Sequence, residues 1–131
     1  MTGYLIDTSV IVGYLRGKEE AVKWLDSLEG EINSSYICLA ELYEGIARVE
    51  DSGSAEEAVQ AFFSSLTNIY SVEENVARQF GILRAQLKKQ GNVIEDLDLL
   101  IAATALVHDL TLITFNKKHF DHVNNLKQFK E

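Results

Sequence analysis

Short apolar runs that end in polar residues alternate along this chain with longer stretches of helical periodicity. Tyr4-Leu5-Ile6 stops at Asp7, Thr8 and Ser9, all good helix caps, so a buried strand followed by a helix over Val10–Leu15 is predicted. Glu19–Leu28 reads as a second helix and Ile32–Ser35 as a strand. Leu39, Leu42, Tyr43 and Ile46 recur at three-to-four spacing and predict a helix over Ile37–Val49. A further helix is predicted over Ala55–Leu66, with Ala58, Phe62 and Phe63 toward the core. Asn68–Tyr70 is a strand candidate, and Ser71-Val72-Glu73-Glu74 matches a capping box that should open a long helix. Val76, Phe80, Leu83 and Leu87 form that helix's apolar stripe, and Gly91 is its expected stop. A helix over Asp98–His108, a strand at Leu112–Thr114 and a turn or short helix over Asn116–Phe120 complete the pattern. Gly17, Gly30, Gly53 and Gly91 each follow a helix-like segment.

Strands alternating with helices imply an α/β fold: a three-layer α/β/α sandwich around a mainly parallel sheet of four to five strands. With 131 residues, no proline and no linker-like or repeated tract, a single domain over residues 1–131 is expected. Ligands of such sheets sit at the carboxyl ends of the strands. The residues to inspect are therefore Asp7 after the first strand, Glu41 early in the helix after the second, Asp98 before the last strand, and Thr114 and Asn116 at its end.

Composition sharpens this. Asp plus Glu number 20 and Lys plus Arg 12, a formal net charge of -8, so there is no diffuse basic field to grip nucleic acid. Any such role needs local positive charge or metal ions. A lone cysteine, Cys38, excludes an internal disulfide and suits a small buried hydrophobe. The apolar stretch Leu99–Val107 is far short of the ~20 residues of a membrane span. The start, Met1-Thr2-Gly3-Tyr4, has no basic leader-like region, and a cytoplasmic protein is expected.

Converging carboxylates repel unless something positive joins them, and oxygen-only ligands favour magnesium or manganese. Each acid also has an ordinary use. Asp7 and Asp98 suit helix caps, with Asp96 competing for the second; Asn116 suits a turn. Glu41, Glu44 and Arg48 share a helix face, and spacing does not rank Glu41 above Glu44. His108, His119 and His122 read as surface or packing residues, without a carboxylate pattern to support metal binding.

Four segments carry a resemblance. Tyr4–Val12, Leu39–Ile46, and Asp98–Ala105 followed by Leu112–Asn116 and Phe120 resemble, in order and spacing, the motifs of the PIN domain, named for the PilT N-terminus. The short single-domain form resembles the toxins of VapBC toxin–antitoxin pairs. The resemblance implies an endoribonuclease dependent on Mg2+ or Mn2+, leaving a 5′-phosphate and a 3′-hydroxyl. Asp7, Glu41 and Asp98 match the family's acidic triad, which selects Glu41 over Glu44. Thr8, Ser9 and Thr114 match positions that supply hydroxyls. Asn116 stands where many members carry a fourth acid, leaving one negative ligand fewer for a second metal. Phe115 replaces a commonly polar residue. The resemblance further implies an RNA substrate, a cognate antitoxin partner and a homodimer, for which Tyr43, Phe62 and Phe63 are contact candidates. Arg84, Lys88, Lys89, Lys117 and Lys118 are basic residues that either contact RNA or form a solvated face; Arg84, Lys117 and Lys118 are the RNA-binding candidates. The competing readings are a catalytically inert PIN-like module for binding protein or RNA, and a phosphatase of the haloacid dehalogenase type. The latter needs a second Asp where Ser9 stands.

Overall fold

Four strands and the helices between them appear in the computed structural model, which describes residues 3–131. Met1 and Thr2, part of the start read as leaderless and of the domain span 1–131, lie outside the described residues. The order is β1 (Gly3–Ile6), α1 (Thr8–Leu15), α2 (Glu19–Ser27), β2 (Glu31–Ser35), α3 (Tyr36–Ala47), α4 (Ser52–Ser64), β3 (Asn68–Tyr70), α5 (Glu74–Gln90), α6 (Asp96–Val107), β4 (Thr111–Ile113) and α7 (Lys117–Phe120).

The sheet is parallel throughout, with strand order β3-β2-β1-β4 and helices flanking it. It is thus at the lower end of the expected strand number. Because β1 has a partner on each side, it is apolar and sealed: Leu5 and Ile6 are fully buried, as are Leu112 and Ile113 of β4. The chain steps from β1 outward to β2 and β3, then returns through α5 and α6 to the other side of β1. The reversal puts a crevice at the carboxyl ends of β1 and β4. Ile6 pairs with Ile113 in that register, so the next residues, Asp7 and Thr114, emerge side by side.

Most predicted elements hold, with shifted ends. Asp7, Ser35 and Asp51 accept hydrogen bonds from Val10, Cys38 and Ser54 N–H groups, and so cap α1, α3 and α4. Consequently α1 starts at Thr8, α4 starts at Ser52, and Gly53 lies inside α4. The capping box at Ser71–Glu74 does not form: α5 begins at Glu74 behind Glu73, with no side-chain cap. Residues 71–73 instead carry the chain away from the edge strand, a tertiary demand that outweighs a local signal worth about 1 kcal/mol. In α4 the core face is Val59 and Phe63, while Ala58 is exposed. Phe62 is half-buried against Tyr14 and Phe63, which leaves Tyr43 as the exposed member of the expected dimer-contact trio. Asp98 lies in the first turn of α6, whose N-cap is Glu95. Cys38 is buried, with its thiol directed at the Ile6 carbonyl. No helix among the described residues is long and apolar enough to cross a membrane.

Two glycines give opposite expectations. Gly91 ends α5 at φ 74°, and a Cβ there would touch nothing, so Gly91→Ala costs only left-handed strain, about 1 kcal/mol. Gly81 sits inside α5 with equally open space, so Gly81→Ala should stabilise by about 0.5–1 kcal/mol. Thermal melts of the two variants should move in opposite directions.

Candidate active site

Asp7 is the centre of the site. It follows the central strand β1 and is itself 4% exposed. Its Oδ1 accepts hydrogen bonds from Ser9 Oγ at 2.6 Å and from Val10 N at 3.2 Å, and its Oδ2 accepts one from Thr114 Oγ1. The two hydroxyls are themselves fixed. Phe115 N donates to Ser9 Oγ at 3.1 Å, and Asn116 N donates to Thr114 Oγ1 at 2.9 Å. The cap reading and the functional reading of Asp7 therefore coexist, since one carboxylate oxygen closes α1 and the other faces β4.

Glu41 comes from α3, behind β2, and its Oε1 accepts from Thr8 Oγ1 at 2.6 Å. Asp98 approaches from α6 and its Oδ2 lies 3.1 Å from His119 Nδ1. Burial raises the pKa of Asp7 above the usual carboxylate range; its hydrogen bonds oppose the shift, and the charge of Asp98 adds to it. Burial also raises Glu41, and the charges of Asp98, Asp7 and Glu44 push it further. Glu41 thus senses the charges of both other acids, and Asp7 senses that of Asp98, across three separate elements. Among the described residues no Lys or Arg forms an ion pair with Asp7 or Glu41, whereas Asp96, Asp109, Glu74 and Glu131 each have one.

The donor set suits a hard divalent cation: carboxylate oxygens, flanking hydroxyls, and a buried negative charge that only neutral donors solvate. Among the described residues no three His, Cys, Asp or Glu side chains already enclose a metal-sized point, so an ion would draw the carboxylates together.

The other predicted residues divide. Asn116 is exposed and its backbone N–H, not its side chain, serves the site. Lys117 turns toward the Trp24 ring, 5.6 Å away, where Phe115 also packs at 4.8 Å with Lys18 Nζ over its face. Lys118 is exposed on the opposite flank, beside Asp98. Arg84 is engaged by the Ile94 carbonyl and by Asp96, tying α5 to the loop before α6. Lys88 and Lys89 lie in the last turn of α5, where positive charge suits the helix dipole. His108 stacks on Tyr70 at 3.8 Å, a packing use as expected. His119 corrects the sequence reading: it does meet a carboxylate, through a contact between α7 and α6 that local spacing does not reveal.

The PIN domain family model matches residues 4–126. Ribonuclease VapC1 of Methanocaldococcus jannaschii is 37% identical over 125 residues, which cover 95% of this chain and 82% of that protein. Ribonuclease VapC19 of Mycobacterium tuberculosis is 40% identical over 118 residues, covering 88% and 90%. Among solved structures, VapBC2 from Rickettsia felis bound to a promoter DNA fragment aligns with a TM-score of 0.90 at 28% identity over 98% of both chains. FitAcB from Neisseria gonorrhoeae aligns at 0.82 and 31%, over 97% of this chain and 96% of that one.

The electrostatics of Asp7 yield a measurable sign. A carboxyl whose folded-state pKa is raised is best tolerated protonated, so its penalty is absent below the unfolded pKa and complete above the folded one. In metal-free protein, Asp7→Asn should therefore melt at a higher temperature than the parent at pH 7. The gap should shrink as the pH falls toward the ordinary carboxylate range. A gap that widens on acidification would contradict this account of the site.

Proposed function

The chain belongs to the PIN domain family, and on that footing we propose that it is a divalent-metal-dependent endoribonuclease, the toxin of a VapBC-type toxin–antitoxin pair. The carrying observation is the convergence of three carboxylates, Asp7, Glu41 and Asp98, from separate elements, with no Lys or Arg paired to Asp7 or Glu41 among the described residues. Burying converging carboxylates is a cost that a merely structural site has no reason to carry, because an apolar or amide side chain would cost less there. This favours the enzyme over an inert binding module.

In this reading Asp7, Glu41 and Asp98 hold Mg2+ or Mn2+. The bound ion supplies Lewis-acid charge and lowers the pKa of water for in-line hydrolysis of a phosphodiester. The residues of the chain do the positioning. Ser9 and Thr114 fix the Asp7 carboxylate, Thr8 fixes Glu41, and His119 fixes Asp98. Asn116 contributes a neutral side chain at the mouth, so the negative charge of the cage rests on three acids. Lys118 is the cation best placed to meet an RNA phosphate, with Lys117 and Arg84 as more distant contributors.

We place the protein in the cytoplasm, acting over residues 1–131 as one domain, with a cognate antitoxin that covers the acidic cluster with a basic side chain. A homodimer would use the α3 face where Tyr43 is exposed, together with Val49 just past the end of that helix.

Purified Asp7→Asn should lose RNA cleavage with its fold intact, and calorimetric titration should show a saturable Mn2+ site in the parent that is absent from the variant. Cleavage by the variant at the parental rate would overturn the catalytic assignment, and absence of a Mn2+ site in the parent would favour the inert module. Lys118→Glu should weaken RNA binding and lower the slope of log K against log salt by about 0.7, the value for one single-strand phosphate contact. Lys117→Glu, whose amine lies over Trp24, should have the smaller effect.

A further inference from the structure

Beside Asp98 the surface opens into a cleft of about 390 Å3 between the loop that joins α5 to α6 and the short helix α7. This is within the ~300–1,000 Å3 range of small-ligand sites. Its walls include Val93, Glu95, Asp98, Lys118, His119 and His122. Val93 is 90% exposed, an aliphatic side chain held out at the mouth with no apolar neighbour to cover it. Among the described residues the Glu95, Lys118 and His122 side chains make no hydrogen bond or ion pair within the chain, in contrast to Arg84, Asp96 and His119 nearby. Glu95 is the N-cap residue of α6, yet its carboxylate does not cap the helix and remains free.

Resting on the ribonuclease reading above, we propose that this cleft seats the unpaired base next to the scissile phosphate and selects bases that carry an exocyclic amino group. The chemistry of the walls specifies the occupant. Val93 and the His122 imidazole give a flat ring surfaces to lie against. Lys118 meets the adjoining phosphate. The Glu95 carboxylate only accepts hydrogen bonds, so it matches the two N–H donors of an exocyclic amino group on adenine, cytosine or guanine better than uracil, whose single imide N3–H lies between two carbonyl oxygens that repel the carboxylate. The base must leave its stack to enter, which makes the substrate single-stranded at the cut.

The experiment uses short ribonucleotide strands spanning a site that the parent protein cleaves in total RNA. Each strand carries one of the four bases beside the cut, and one further strand is annealed to its complement. The parent should cut the amino-bearing strands at least about fivefold faster than the uracil strand, the size of one base contact, and should leave the duplex largely intact. Glu95→Gln, whose amide both accepts and donates, should bring the uracil strand within about twofold of the others. Val93→Ala should raise KM for every strand by about fivefold, with the ranking of bases kept. Mn2+ affinity, measured by calorimetry, should be unchanged in both variants, which separates loss of the base seat from damage to the metal site. Equal cutting of all four bases by the parent overturns the proposal alone, as does a base ranking unmoved by Glu95→Gln. A parent protein that cuts none of the strands overturns the ribonuclease reading, and this proposal with it.

Discussion

The carboxyl edge of the sheet is organised around one buried carboxylate solvated entirely by neutral donors. Asp7 accepts from Ser9, Val10 and Thr114, so the same side chain ends β1, starts α1 and binds β1 to the end of β4. Moving any of these three partners would strip one hydrogen bond from a buried carboxylate, which is among the costlier changes a fold can suffer. The parallel register that sets Ile6 opposite Ile113 is what brings Asp7 and Thr114 together, so sheet pairing and site geometry are one constraint.

Around that anchor the site is held at one remove by hydroxyls and an imidazole. Thr8 holds Glu41, and His119 meets Asp98. Phe115 and Asn116 donate their backbone N–H groups to the hydroxyls that hold Asp7. The loop after β4 therefore contributes main chain to the site, and the side chain of Phe115 is free to pack on Trp24. That division explains how Phe115 can occupy a position that is commonly polar among PIN domains: the atom that serves the site is its amide nitrogen.

The net charge of -8, which at first argued against a nucleic-acid role, takes a different meaning from this arrangement. Part of the acid excess is concentrated where a divalent ion would reverse its sign locally. The cations lie at the flanks: Lys118 beside the Asp98 cleft, Lys18 and Lys117 over the Phe115 and Trp24 rings. A chain that repels RNA at long range can still bind it at short range if the metal and these flanking amines meet the phosphates.

The strands, the α5 stripe with its Gly91 stop, and the strand-end acids were legible in the sequence because they rest on period and chain-local chemistry. Apolar runs closed by Asp or Thr mark buried parallel strands wherever they fold. The capping box at Ser71–Glu74 and the inward face assigned to Ala58 failed for the opposite reason: the path of a crossover and the rotation of a helix are set by what they pack against. The choice of Glu41 over Glu44 came from resemblance, since both lie on one helix face. Only the tertiary structure divided Lys117 from Lys118, occupied Arg84 with Asp96, and brought His119 to Asp98 across 21 positions of sequence. Sequence fixes which side chains are available and which strand end each one follows. Which of them meet is decided by strand register and helix packing, because contacts between distant segments have no period to betray them.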